Sequence, residues 1–165
     1  VAALLLALAL PLPAQEILVP HGALWRWRKG TNEASSPASL WRNAAFNDSA
    51  WAAGSAPFHF GTNTSGGDDQ LTGGTILGDM RNSYRGIFLR RAFVLTNVAD
   101  IASAALAVNY DDGYVAWING VEVTRNNVTG EPTYLTLANS SLEPAGNVTN
   151  ALPLPPQNYF ALGTN

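Results

Sequence analysis

The stretch DDGYVAWINGVEVTR, residues 111–125, decides how the chain folds. At its middle stands the pair Asn119-Gly120. On either side lie YVAWI (114–118) and VEVTR (121–125), both rich in β-branched and aromatic residues. An Asn-Gly pair between two such runs is the strongest short hairpin signal, because the tight turn that matches strand twist needs positive φ at both central positions. The stretch opens on Asp111-Asp112-Gly113, a turn signal in its own right.

Working outward, residues 98–108 are alanine-rich. Propensity alone favours a helix there. The alternation of Ala104, Leu106, Val108 and Tyr110, with a turn directly after, favours a strand. Residues 86–95, GIFLRRAFVL, read as another strand, with Leu89, Arg91, Phe93 and Leu95 on one face and Phe88, Arg90, Ala92 and Val94 on the other. Residues 23–28, ALWRWR, alternate in the same way, which predicts Trp25 and Trp27 toward a core and Arg26 and Arg28 away from it. Downstream, YLTLA (134–138) reads as a short strand and 139–158 as an Asn/Pro-rich loop. Trp41, Phe46, Trp51, Phe58 and Phe60 fit no period, so 41–61 reads as a long ordered loop that plugs one end of the core. Residues 61–75, GTNTSGGDDQLTGGT, read as a surface loop. Many short strands with turn signals between them predict an all-β antiparallel sandwich.

Composition agrees. Charged residues make up 13% of the 165, against 15 glycines and 10 prolines, which argues against disorder, coiled coil and helical bundle alike. The absence of cysteine excludes disulfides, thiolate metal sites and a cysteine nucleophile. Nine basic residues against twelve acidic ones offer no basic stripe, so no nucleic-acid partner is expected. The apolar run AALLLALALPL at 2–12 is shorter than the roughly 20 residues a membrane-spanning helix needs, and suits a signal peptide. The expected organisation is a signal peptide over 1–14, a short leader over 15–22 and a β-sandwich over 23–165. The mature chain is then secreted, extracellular or periplasmic, with no membrane span.

The usual catalytic motifs are missing: there is no G-x-S-x-G, no H-E-x-x-H, no Walker loop and no G-x-G-x-x-G. Only His21 and His59 could serve as imidazole bases. No enzymatic activity is expected. The paired carboxylates Asp111 and Asp112 suit Ca²⁺, which takes six to eight oxygen ligands. They equally suit a turn in which one carboxylate caps backbone N–H groups or pairs with a strand arginine such as Arg90. Asp68 and Asp69 pose the same choice in the Gly-rich loop. Trp117 could offer a ring face to the C–H groups of a sugar, or line a sheet face. Trp41 and Trp51 read as closing the core. Arg90 and Arg91, adjacent on a strand, point to opposite faces, so at least one needs a partner inside.

Several of these motifs together carry a resemblance: Trp41, FNDSAW at 46–51, APFHFG at 56–61, FLRRAF at 88–93, DDGYVAWINGVEVTR at 111–125 and ALGTN at 161–165. Over about residues 23–165 the chain resembles the galactose-binding-domain-like jelly roll, the fold of discoidin domains and many carbohydrate-binding modules. The resemblance implies a non-catalytic module of a larger secreted bacterial protein that binds a polysaccharide or cell-surface glycan. It also implies a final strand past Asn165, and so a C-terminally truncated fragment. The Asp-Asp-Gly turn with its hairpin also resembles the core of the protective-antigen-type adhesin domain, where an Asp pair can hold calcium that coordinates a sugar. Carried over, that implies Asp111 and Asp112. The rival expectation is a structural spacer that packs against other domains of the same polypeptide, including a downstream enzyme domain.

Overall fold

The computed structural model describes residues 15–60, 73–142 and 146–165; the expected signal peptide over 1–14 lies outside them. Among the described residues the regular structure is strand, with short 3-10 turns at Leu40–Arg42 and Pro156–Asn158. No described helix is long and apolar enough to cross a membrane. The chain is all-β, and its pairings are antiparallel apart from one short parallel pair.

β1 (Leu24–Lys29) pairs with β2 (Ala52–Ser55). β3 (Phe58–His59) runs parallel to β4 (Thr75–Ile76). β5 (Ile87–Arg90) completes a three-stranded sheet on the other side of β1. The register sets Arg26 opposite Arg90 and Arg28 opposite Phe88, so these four side chains share one face. That face meets the buried cluster of Ala34, Trp41 and Trp51: Phe88 packs edge-on to Trp41 at 5.2 Å, and the Arg28 guanidinium lies 5.9 Å from the Trp51 ring centre. The expected orientation of β1 holds in part: Trp25 and Trp27 are half-buried and Arg26 is exposed, but Arg28 is half-buried beside the Trp51 ring. Both arginines reach the loop from this face, Arg26 Nη1 donating to Trp51 O at 3.3 Å, because a long apolar stem can lie along the surface while the head finds a carbonyl. Trp27 is half-buried on the opposite face against Phe58, at 5.9 Å. Gly54 on β2 is required there: a Cβ would stand 2.4 Å from Thr75 Oγ1 and 3.0 Å from Trp27 Nε1. The run AAGS carries no alternation, which is why its strand was hidden within the aromatic loop.

β6 (Val94–Leu95) is separate from β5, so the single strand expected over 86–95 breaks at Arg91–Phe93. β7 (Ala105–Tyr110) forms as its alternation predicts, then turns at Asp111–Gly113 into β8 (Tyr114–Ile118) and β9 (Val121–Asn126). Asn119 and Gly120 have φ of 51° and 84°, the double positive the hairpin demands. β10 (Gly146–Ala151) pairs along the full length of β7, with Val148 opposite Val108, inside the segment expected to be loop. The short strand expected at 134–138 does not form. Thr136 N donates to Thr133 O and Thr133 N to the Thr136 hydroxyl, so the segment turns back on itself and exposes Leu135 and Leu137. β11 (Gly163–Thr164) pairs with β6, and Asn165 exchanges both backbone hydrogen bonds with Phe93.

A second buried cluster, Leu95, Val123, Leu152, Tyr159 and Phe160, gathers the C-terminal segment. Ala116 and Ile118 of β8 pack on this cluster, and Trp117 between them packs on the first. Period-two alternation thus makes the β8–β9 hairpin a wall shared by both clusters. A bulge leaves Val123 without a cross-strand partner, and it is buried at 6% exposure.

Candidate functional site

The Asp111–Asp112 turn sits where β7 hands over to β8, and the Asp111–Asp112 peptide is cis. Asp112 Oδ1 accepts the Leu142 N–H at 2.7 Å, and its carbonyl accepts Asn127 Nδ2 at 3.0 Å. Asn127 comes directly after β9 with φ 54°, and its amide also donates to Ser140 O at 2.6 Å. The Ser140 hydroxyl returns a bond to Asn127 Oδ1, Asn139 N donates to Asn127 O, and the Thr129 hydroxyl donates to Asn139 Oδ1. Three chain segments are knotted here: the turn at 111–113, the strand exit at 126–129 and the loop at 139–142. Behind the knot Tyr110 and Tyr114 pack edge-on at 4.9 Å. Asp111 is exposed and Asp112 half-buried.

Both readings of the carboxylate pair can be examined on this geometry. Asp112 does cap a backbone N–H, as the turn reading expects. Arg90 pairs with Asp48 at 2.9 Å, so it is engaged elsewhere than at the turn. For calcium, the pair offers carboxylate oxygens among many carbonyls, although among the described residues no three of His, Asp and Glu gather in one place. Asp68 and Asp69 lie outside the described residues.

Trp117 is half-buried, and its ring is already engaged. The Arg42 guanidinium stacks 4.1 Å from its ring centre, and Trp41 meets it edge-on at 5.6 Å. Arg42 in turn pairs with Glu131 at 2.5 Å, and its own side chain is 9% exposed. A sugar stacking on that ring face would have to displace the cation. Trp41 and Trp51 close the core as expected, 6.2 Å apart and buried.

Sequence reasoning expects a partner for at least one of Arg90 and Arg91; Arg90 has several, and its carboxylate is Asp48 rather than a turn aspartate. Besides Asp48, its guanidinium donates to the carbonyls of Trp41 and Asn43, with Phe46 O at 3.5 Å. The loop bearing Trp41, Phe46 and Trp51 leaves carbonyls without a strand partner; Arg90 from β5 answers those of Trp41 and Asn43, and Arg26 from β1 that of Trp51. Asn127, the organiser of the knot, was signalled only by its place at a strand exit in an Asn-rich run.

Compared with known proteins, the chain matches no family model, no curated protein and no solved structure.

Proposed function

We propose that this chain is a non-catalytic carbohydrate-binding module of a larger exported protein, on a jelly-roll frame. The observation that carries the reading is the knot at Asp111–Asp112. An exposed aspartate stands beside one whose carboxylate is fixed by a backbone N–H, on segments tied together by side-chain hydrogen bonds. Loops on a rigid β scaffold are the usual place for a binding site, and a site already ordered loses less freedom when ligand arrives. Carboxylates accept strong hydrogen bonds from sugar hydroxyls. In this reading calcium assists: Asp111 and Asp112 supply part of the six to eight oxygens it takes, with carbonyls, water and the sugar supplying the rest. Trp117, under Arg42, belongs to the same β8–β9 hairpin that leads out of the knot.

A glycan array followed by calorimetry, with calcium and with chelator, tests the reading. The expected result is weak glycan binding that is lost with chelator and lost in Asp111→Ala, while that variant melts as the parent does. Binding indifferent to both would leave the two aspartates as turn residues only. A specific observation favours the spacer reading as an alternative: Leu135 and Leu137, two residues apart, are 53% and 61% exposed and would suit packing against another domain. Absence of binding to every glycan would favour it.

A further inference from the structure

We propose that the module has a second, cationic contact that takes an acidic substituent, a carboxylate or sulfate ester, of an extracellular polysaccharide; this rests on the carbohydrate reading above. A cavity of about 290 Å³ opens where β1, β2 and the end of β5 meet, bounded by Trp25, Arg26, Asp48, Arg90 and Arg91, with Leu24 at its edge. That is close to the lower end of the roughly 300–1,000 Å³ that small-ligand sites occupy.

The charges there do not cancel. Arg90 is neutralised by Asp48, and its remaining donors hold the Trp41 loop. Arg26 and Arg91 have no carboxylate partner among the described residues. Among the described residues each is tied to a carbonyl alone, Arg26 to Trp51 O and Arg91 to Leu24 O. Arg91 Nε is buried and has no acceptor among the described residues. Both arginines line the cavity, and an oxyanion is the acceptor that suits a guanidinium best. A chain of net charge −3 with nine basic residues has thus placed two uncompensated arginines at one cavity. Two charges are too few for a nucleic-acid backbone. They are enough to select a uronate or sulfated sugar over a neutral one, and Leu24, 57% exposed, gives the sugar's C–H groups an apolar margin.

The test uses the full chain in affinity electrophoresis against polygalacturonate, a sulfated galactan and a neutral galactan, with sodium sulfate alone as a small-anion control. The acidic polymers should be bound and the neutral one left unbound or bound about tenfold more weakly, and Arg26→Gln or Arg91→Gln should each weaken acidic-polymer binding about tenfold. Added salt should weaken it further. Melting curves check folding, and Arg91→Lys, which keeps the charge, should retain part of the binding if Arg91→Gln unfolds. Neutral-galactan binding that is as strong and insensitive to both arginines would overturn this contact and leave the carbohydrate reading standing. Acidic-polymer binding unchanged in both variants would also overturn it. Binding of no polymer would overturn both, and protection by sodium sulfate alone would reduce the cavity to a small-anion site.

Discussion

The buried clusters on either side of the β8–β9 hairpin are built by different means. Around Trp41 the material is a loop, and four arginines hold it: Arg90 to its carbonyls, Arg26 to Trp51 O, Arg28 beside Trp51 and Arg42 over Trp117. Around Phe160 the cluster is made of apolar and aromatic side chains, with Phe93 and Tyr159 packed edge-on to Phe160 at 5.9 Å and 4.8 Å. The polar ties on that side come from amides: Asn119 Nδ2 donates to Tyr159 O and to Asn165 Oδ1, and Gln157 Nε2 to Val98 O. The difference teaches that irregular backbone can be laid over a sheet only when something answers its carbonyls. Arginine does so while its stem still packs.

The widest test of that contrast truncates one aromatic on each side. Trp41→Ala and Phe160→Ala should each cost about 3–5 kcal/mol in urea unfolding. Only Trp41→Ala should also open the 34–51 loop to proteolysis. Next, Arg90→Met keeps much of the stem and removes every donor. A loss of about 2–3 kcal/mol is expected, since it strands Asp48 and several loop carbonyls on a side chain that is 15% exposed. A loss under about 0.5 kcal/mol, the range of an ordinary surface change, would mean that aromatic packing alone holds the loop.

The shared turn gives smaller effects. Gly120→Val places a β-branched residue at φ 84° with its Cβ 2.8 Å from Asn43 Oδ1, and should cost about 2 kcal/mol by thermal melting. Asn119→Gly keeps the backbone freedom and removes both amide bonds to the C-terminal side. It should cost about 1 kcal/mol and leave the Trp41 loop protected in hydrogen exchange.

The smallest effect lies in neither cluster and sharpens the contrast by serving as its control. Tyr84 is buried, and that burial, with its hydrogen bond to Asp79, pushes its pKa up to about 12. The folded value lies above the unfolded one near 10, so its contribution is intact below pH 10 and is lost as pH rises toward 12. Tyr84→Phe should flatten that decline by less than about 1 kcal/mol at pH 10.5, measured by urea unfolding.

Legibility in the sequence followed the range of the interactions. The hairpin could be read because Asn119-Gly120 states its own φ requirement, and β7 because its alternation is local. β10 is hard to read because half of GNVTNA is Gly and Asn, and its pairing with β7 makes it a strand. YLTLA misleads in the opposite sense: its β-formers lack a partner strand, and Thr133 and Thr136 bond to each other. At the candidate site, the Asp112 turn is local and legible. The atoms that fix it belong to Leu142 and Asn127, 30 and 15 residues away, and no spacing rule links them. The same holds for Arg90 and Asp48, 42 residues apart.

The shared wall has a consequence in time as well as in space. A hairpin closed by a two-residue turn needs no distant partner, and such hairpins form in about 1–10 μs. Both clusters wait on segments that must travel much farther along the chain: β6 joins β11 across nearly the whole C-terminal half, and Arg90 reaches back to the Trp41 loop. Closing such long loops costs chain entropy before any contact rewards it. The β8–β9 hairpin is therefore expected to be the template on which each side condenses. Substitutions in its turn are expected to slow folding, whereas substitutions at Phe160 or Trp41 speed unfolding, a division that stopped-flow chevrons of the same variants would read directly.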